Sequence, residues 1–470
     1  MRRRCAVTLA LPLVWLVAAA PGAQAPHVTR GERSSTGWLD QYREPASRLI
    51  GEAVGSTFAW QRLAVLTDTI GHRLSGSPAL DRAIAWAVDE MKRDGLENVH
   101  TESVIVPKWV RGAESAEIVE PARHAMVMLG LGDSVGTGPA AEGIQADVMV
   151  VRSFEELEAN ADRARGRIVL FNVAFTSYGE TVRYRSQGPS RAARHGAVAV
   201  LVRAVGPAGL RTPHTGALQY AADAPKIPAA AIATEDADRL QRMADRGSRI
   251  VVRLKMDAHF EADATSANVV GELRGREKPE EIVVVSGHLD SWDVGAGATD
   301  DGGGCIVTWE ALRIMKKLNL RPRRTLRVVL WTNEENGGRG GLAYRDQHRA
   351  ELGSHVLMME SDGGVFRPLG FGFSGNDTAR EKVKAIATLL TGIAAEQVSL
   401  GGGGADIGPS IQEAHIPGMS LEVDGSKYFL IHHTPADTID KIDPIEMAKC
   451  AAAVAVMAYV VADLPQRISE

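Results

Sequence analysis

Cysteine is scarce in this 470-residue chain: Cys5, Cys305 and Cys450 are the only three. Three cysteines exclude a disulfide framework, and Cys305 and Cys450 read as thiols of a core. A block of Lys or Arg is also missing, and the formal net charge is only −5. Nothing therefore asks for a nucleic-acid backbone or an anionic membrane, and a small-molecule or peptide partner fits better. Internal repeats and low-complexity stretches are absent apart from the glycine run Gly401, Gly402, Gly403 and Gly404. Long apolar runs are limited to two, over 6–20 and 445–464. The second carries Glu446, Lys449 and Asp463 and reads as a buried helix packed on a sheet, so the mature chain is expected to stay out of the membrane.

What is there begins with an export signature. Arg2, Arg3 and Arg4 precede the first apolar run, and Ala23-Gln24-Ala25 closes it as a cleavage site, so residues 1–25 are read as a signal peptide and the protein as secreted or periplasmic. Cys5 stands before the run and is not placed for lipid attachment. The remaining length favours two domains, and 45% apolar with 24% charged residues is the balance of an ordinary globular protein.

Domain texture changes twice. Residues 26–112 open an α/β pattern, with a helix from the Ser77-Pro78 cap to Gly95 and a strand over 98–106. Residues 113–258 alternate short apolar runs (168–171, 197–202, 227–233, 250–254) with polar stretches, as a small inserted α/β module would; a lid and an inert spacer are both open readings of it. Residues 259–470 carry a doubly wound α/β pattern: strands over 282–286, 325–331 and 355–360, a helix over 304–317, then alternating helices and turns.

Each of those strands ends in polar residues, which is where open α/β sheets place their chemistry. Gly287-His288-Leu289-Asp290 sets an imidazole at a strand end with Asp290 two residues on, an arrangement in which a carboxylate or carbonyl fixes a ligating tautomer. Thr299-Asp300-Asp301-Gly302-Gly303-Gly304 puts two acids before three glycines, more than helix capping requires. Glu334 and Glu335 follow the strand over 325–331: one can bind metal while its neighbour takes a proton from metal-bound water. Asp362 ends the next strand, and His433 lies in a loop with Asp437 four residues on. His288, Asp300, Glu335, Asp362 and His433 offer nitrogen and oxygen donors suited to zinc, and five ligands with one bridging carboxylate hold two ions with an open position on each.

These strings, with Arg73-Leu74-Ser75-Gly76-Ser77 and Trp109-Val110-Arg111-Gly112, resemble the zinc exopeptidase family of co-catalytic aminopeptidases and glutamate carboxypeptidases over nearly the whole mature chain. The resemblance implies a mixed sheet flanked by helices with an inserted protease-associated domain, and a possible homodimer. It implies two Zn2+ per chain: His288 and Asp362 on one, Glu335 and His433 on the other, Asp300 bridging, with Glu334 as general base activating a metal-bound hydroxide. It also implies a cis peptide at Asp300-Asp301. A tyrosine that some relatives use to support the oxyanion is replaced here by the stretch from Gly401 to Asp406, leaving that donor unassigned. A short-peptide substrate follows, for a dipeptidase or carboxypeptidase; the alternatives are an aminopeptidase on longer peptides, a zinc deacylase or glutaminyl cyclase, and a non-enzymatic binding protein.

Overall fold

A mixed eight-stranded sheet carries the polar strand ends. The computed structural model describes residues 37–139 and 142–470, so the export signature lies outside the described residues. The sheet contains β1 (Glu97–Val106), β2 (Ala264–Leu273), β3 (Lys278–His288), β4 (Arg324–Trp331), β5 (His355–Glu360), β6 (Pro368–Ser374), β7 (Gln397–Leu400) and β8 (Gly418–Val423), in spatial order β1-β2-β4-β3-β5-β8-β6-β7. The middle four strands, β4, β3, β5 and β8, run parallel. β3 from Ile282, all of β4 and all of β5 are buried, as strands covered on both faces must be.

Helix α1 (Pro78–Arg93) starts at Ser77, whose hydroxyl accepts the Leu80 N–H, and buries Leu80, Ala83, Ala87 and Met91. Helix α2 (Gly303–Lys317) follows the acidic turn, and α3 (Pro444–Asp463) packs against it. Asp443 caps α3 and Pro444 occupies its first turn. α3 is long and apolar enough to cross a bilayer by composition, yet most of it is buried inside the fold, as expected of a core helix. Cys305 and Cys450 are buried free thiols.

One part of the sequence reading was incomplete. Residues beyond 360 were expected to alternate helices and turns, whereas β6, β7 and β8 extend the sheet by three strands. Gly370 and Gly372 interrupt the apolar alternation of β6, and β7 has no buried residue, so neither carries a period-two signal.

A second eight-stranded sheet is built entirely from strands between Glu114 and Met256. It is spliced between two neighbouring antiparallel strands of the first sheet: β1 ends at Val106, opposite Ala264, where β2 begins. The two crossings pair with each other as short strands, Trp109–Val110 against His259–Phe260. Its strands over 168–171, 199–203 and 229–232 are parallel and wholly or nearly wholly buried. One of its two apolar clusters also takes in Leu74, Trp109 and Trp292 from the other part of the chain. Both sheets belong to one compact unit, Gln41–Glu470.

Candidate active site

Strand register brings the chemistry together. His288 on β3 is level with Trp331 on β4, and Ser286 on β3 is level with Glu360 on β5. The segments that follow these strands therefore emerge side by side, bringing Glu334, Glu335 and Asp362 to His288. Asp300 arrives from the turn before α2, and His433 from the loop after the short helix Tyr428–Ile431. The glycines permit this crowding: a Cβ at Gly304 would stand 1.9 Å from the Ser361 carbonyl, and one at Gly287 2.5 Å from Asp301 Oδ2.

Asp300 stands between two groups of donors. Its Oδ1 is 3.1 Å from His288 Nε2, which is 3.4 Å from Asp362 Oδ1. Its Oδ2 is 3.2 Å from His433 Nε2, which is 3.0 Å from Glu335 Oε2. Glu334 Oε2 lies 4.0 Å from His288 Nε2, on a side chain that is 22% exposed. Candidate ligand atoms lie within 4.8 Å of one another in three sets: His288 with Asp300 and Glu335, His288 with Asp301 and Asp362, and Asp300 with His432 and His433. Asp301 is otherwise engaged, since its two oxygens accept the N–H groups of His288 and Gly304. The Asp300-Asp301 peptide is cis.

Surrounding groups hold these side chains in place. The carboxylate of Asp437 accepts the N–H groups of Thr299 (2.6 Å) and Asp300 (3.1 Å), fixing the backbone of the central aspartate. His288 Nδ1 faces the Asp290 carbonyl oxygen at 3.0 Å, while the Asp290 carboxylate accepts the N–H groups of Glu334 and Glu335 and the Ser75 hydroxyl. Asp290 thus ties the histidine loop to the glutamate loop, a wider task than steadying one imidazole. Arg73 is fully buried and donates to the carbonyls of Gly71, Leu289, Ala296 and Gly297, clamping the segment that joins His288 to Asp300. His433 has φ +59°, a left-handed conformation that a non-glycine residue adopts only where its surroundings impose it.

Burial favours the neutral form of each acid here, and crowding of like charge adds to it. Burial and the charges of Asp362 and Glu335 hold Glu334 well above the usual carboxylate range. Burial and Asp300 push Glu335 up to about 7, and Asp362 is raised by burial and Asp300 together. Burial pulls the two imidazoles down, but their carboxylate neighbours outweigh it, so His288 and His433 lie well above the ordinary histidine value. Asp300, facing both, is held well below its own range although it is buried. Asp300, Glu334, Glu335 and Asp362 together outnumber the two imidazoles, and Asp362 Oδ1 is buried with the His288 imidazole 3.4 Å away. Such an excess of enclosed carboxylate, mixed with imidazole nitrogen, fits divalent cations with a taste for nitrogen and oxygen donors.

Several contributors carry no local signal in the sequence. Tyr428 feels the charges of Asp300, Asp362 and Asp301, which, with burial first, push its hydroxyl well up. Its ring lies 5.0 Å from that of His432, which stacks at 3.5 Å on His433. Trp292 donates its backbone N–H to Glu335 Oε1, and its indole nitrogen lies 3.1 Å from His433 Nε2. Arg185, His214 and Thr215 reach His433 and His432 from the inserted sheet, a region whose sequence offered no cluster of chemical residues.

A family model described as Peptidase family M28 matches residues 268–458, the stretch holding all five predicted ligands. Carboxypeptidase Q of Mus musculus is 48% identical over 433 residues, 92% of this chain and 92% of that protein. The chain belongs to peptidase family M28. Carboxypeptidase Q of Bos taurus is 50% identical over 410 residues, 87% of this chain and 86% of that protein. A solved M28 peptidase precursor from Shewanella amazonensis SB2B superposes with TM-score 0.86 at 34% identity, covering 91% of this chain and 98% of that one. A zinc aminopeptidase from Bacillus subtilis shares the fold, with TM-score 0.65 at 20% identity, covering 87% of this chain and 96% of that one. As an M28 member the protein is a metallopeptidase, and the binding-protein alternative falls away.

Proposed function

We propose that the chain is an exported di-zinc exopeptidase that hydrolyses dipeptides or short peptides from a confined site. His288 and Asp362 would hold one zinc, Glu335 and His433 the other, with Asp300 shared. The observation that carries this reading is the placement of Asp300, one carboxylate oxygen toward each imidazole at 3.1 and 3.2 Å. When bound, the ions would acidify an attacking water and polarise the scissile carbonyl.

The remaining work belongs to side chains. Glu334 has no protein donor on its carboxylate among the described residues and stands at the edge of the cluster, free to take a proton at Oε2 and return it to the leaving amine. Tyr428, whose hydroxyl is kept protonated by burial and the charges of Asp300, Asp362 and Asp301, is our choice for the donor to the developing oxyanion, the role left open by the glycine stretch from Gly401. The segment 113–258 is read as a protease-associated type of domain, on a doubly wound exopeptidase sheet.

The likeness to carboxypeptidase Q over nearly the whole chain favours a carboxypeptidase or dipeptidase. One observation supports an aminopeptidase instead: Glu360 and Asp406 are buried, Asp406 has no hydrogen-bond partner on either oxygen among the described residues, and Glu334 acts on it electrostatically. Those acids could hold a free α-ammonium. The test is metal content together with cleavage of unblocked, amino-blocked and carboxyl-blocked dipeptides and longer peptides, before and after chelation. About two zincs per chain and chelator-sensitive cleavage are expected, with the block that abolishes cleavage naming the end recognised. Metal without peptide cleavage would sink the peptidase substrate and favour the deacylase or cyclase alternatives.

A further inference from the structure

Among the groups of the inserted segment that reach His433 is one buried cation. Arg185 lies on the helix Tyr178–Ser186 and is only 5% exposed. Its Nη1 donates to the Thr215 carbonyl oxygen at 3.0 Å, and its Nη2 donates to the Tyr178 hydroxyl at 2.7 Å. The same Thr215 oxygen is 3.3 Å from His433 Nδ1, and the Thr215 N–H donates to the His433 carbonyl at 3.0 Å. Arg185 Nη1 is itself 3.5 Å from His433 Nδ1. Gly216 makes room for the guanidinium, because a Cβ there would stand 2.3 Å from Arg185 Cζ.

These contacts have a direction. His433 Nε2 faces Asp300 and Glu335, so Nδ1 is the nitrogen left to fix the ring's tautomer and angle. The carbonyl that receives it comes from the inserted segment, and the side chain that donates to that carbonyl is Arg185. Thr215 is further held by its own hydroxyl, which donates to the Gly130 carbonyl, and by Arg111, which forms a bidentate pair with Asp293 beside Trp292.

We propose that Arg185 is a positioning residue for the metal centre: it pins the Thr215 carbonyl that orients His433, so that the inserted sheet completes one of the two metal sites. This rests on His433 being a metal ligand. Partners of a ligating histidine typically contribute 10- to 100-fold in metal affinity. The effect is confined to the site His433 serves, since His288 takes its own support from the Asp290 carbonyl.

The experiment follows zinc release into a chromogenic chelator from the full chain and from Arg185→Met, Arg185→Lys, Tyr178→Phe and His433→Ala, with melting of the metal-free forms alongside. Arg185→Met is expected to bind one of its two zincs about 10- to 100-fold more weakly and the other as the parent does. Arg185→Lys recovers part of that loss, and Tyr178→Phe, which frees only Nη2, gives a smaller loss at the same site and serves if the methionine variant does not fold. Parent-like retention of both ions in the Arg185 and Tyr178 variants overturns the proposal, as does parallel loss of both ions, which would mark a merely structural arginine. If His433→Ala keeps both ions like the parent, the ligand assignment itself fails and this proposal falls with it.

Discussion

Replacing Glu334 with Gln separates the proton carrier from the metal ligands. The Glu334 backbone N–H is tied to Asp290, and its side chain meets no protein donor among the described residues, its nearest partner being His288 Nε2 at 4.0 Å. An amide of the same shape therefore breaks no hydrogen bond, and it removes one acid from a cluster whose charges repel. Stability should change by no more than about 0.5 kcal/mol, and zinc content should hold. The amide cannot carry the proton, so kcat should fall by about 10² to 10⁴, or ~2.7 to 5.5 kcal/mol of barrier. Glu335→Gln is the contrast: its carboxylate accepts the Trp292 N–H and meets His433 at 3.0 Å, so zinc should be lost together with turnover. Steady-state kinetics on a cleaved dipeptide with metal analysis of both variants decides the matter. A Glu334→Gln enzyme within tenfold of the parent kcat, or one stripped of zinc, refutes the division of labour.

Arg73→Met removes four donated hydrogen bonds, taking that donor from the carbonyls of Gly71, Leu289 and Ala296 and leaving Gly297 with the Gly302 N–H alone; a loss of about 3 to 5 kcal/mol is expected in denaturant unfolding, and a change under 1 kcal/mol would contradict the clamp. Tyr428→Phe should lower kcat by roughly 10² with KM little changed, measured on the same dipeptide, if the phenol meets the oxyanion; an unchanged kcat would return that role to backbone N–H groups. His348 bridges Glu102 of β1 and Glu351; burial works against its charge, but the two carboxylates raise its pKa to about 9. A raised pKa stabilises the fold fully below the unfolded histidine value near 6.5, and the contribution drains away as pH rises through about 9, so melting should decline over that window by an amount equivalent to about 3 kcal/mol. His348→Gln should flatten the decline, and an identical pH profile in the variant would show that His348 is not its source.

The chemistry was legible in the sequence where it lies along the chain, at the ends of strands. His288, Asp300, Glu334, Glu335 and Asp362 each sit within a few residues of an apolar run or a glycine turn, so hydrophobic pattern and turn chemistry together pointed at the carboxyl ends of neighbouring strands. The same local logic found the Ser77 cap and the buried helix near the C-terminus. It missed β6, β7 and β8, the first two because glycines and exposure erase their alternation, and spacing alone did not say which atom of Asp290 meets the imidazole.

Arg185 and Thr215 mark the limit of that logic. Thr215 meets His433 across 218 residues and Arg185 does so across 248, and neither stands in a motif. What would have exposed them is a topological argument: a segment spliced between two paired neighbours, Val106 and Ala264, must leave and re-enter at the same point. Its crossings at Trp109–Val110 and His259–Phe260 are paired, and Arg111 beside them binds Asp293, one residue from the tryptophan that packs on His433. A module anchored there has its near end fixed beside His433. Contact with His433 then follows from where the splice occurs, and a guanidinium is a suitable group to make it, because its rigid fork of N–H donors satisfies a buried carbonyl and a phenol together.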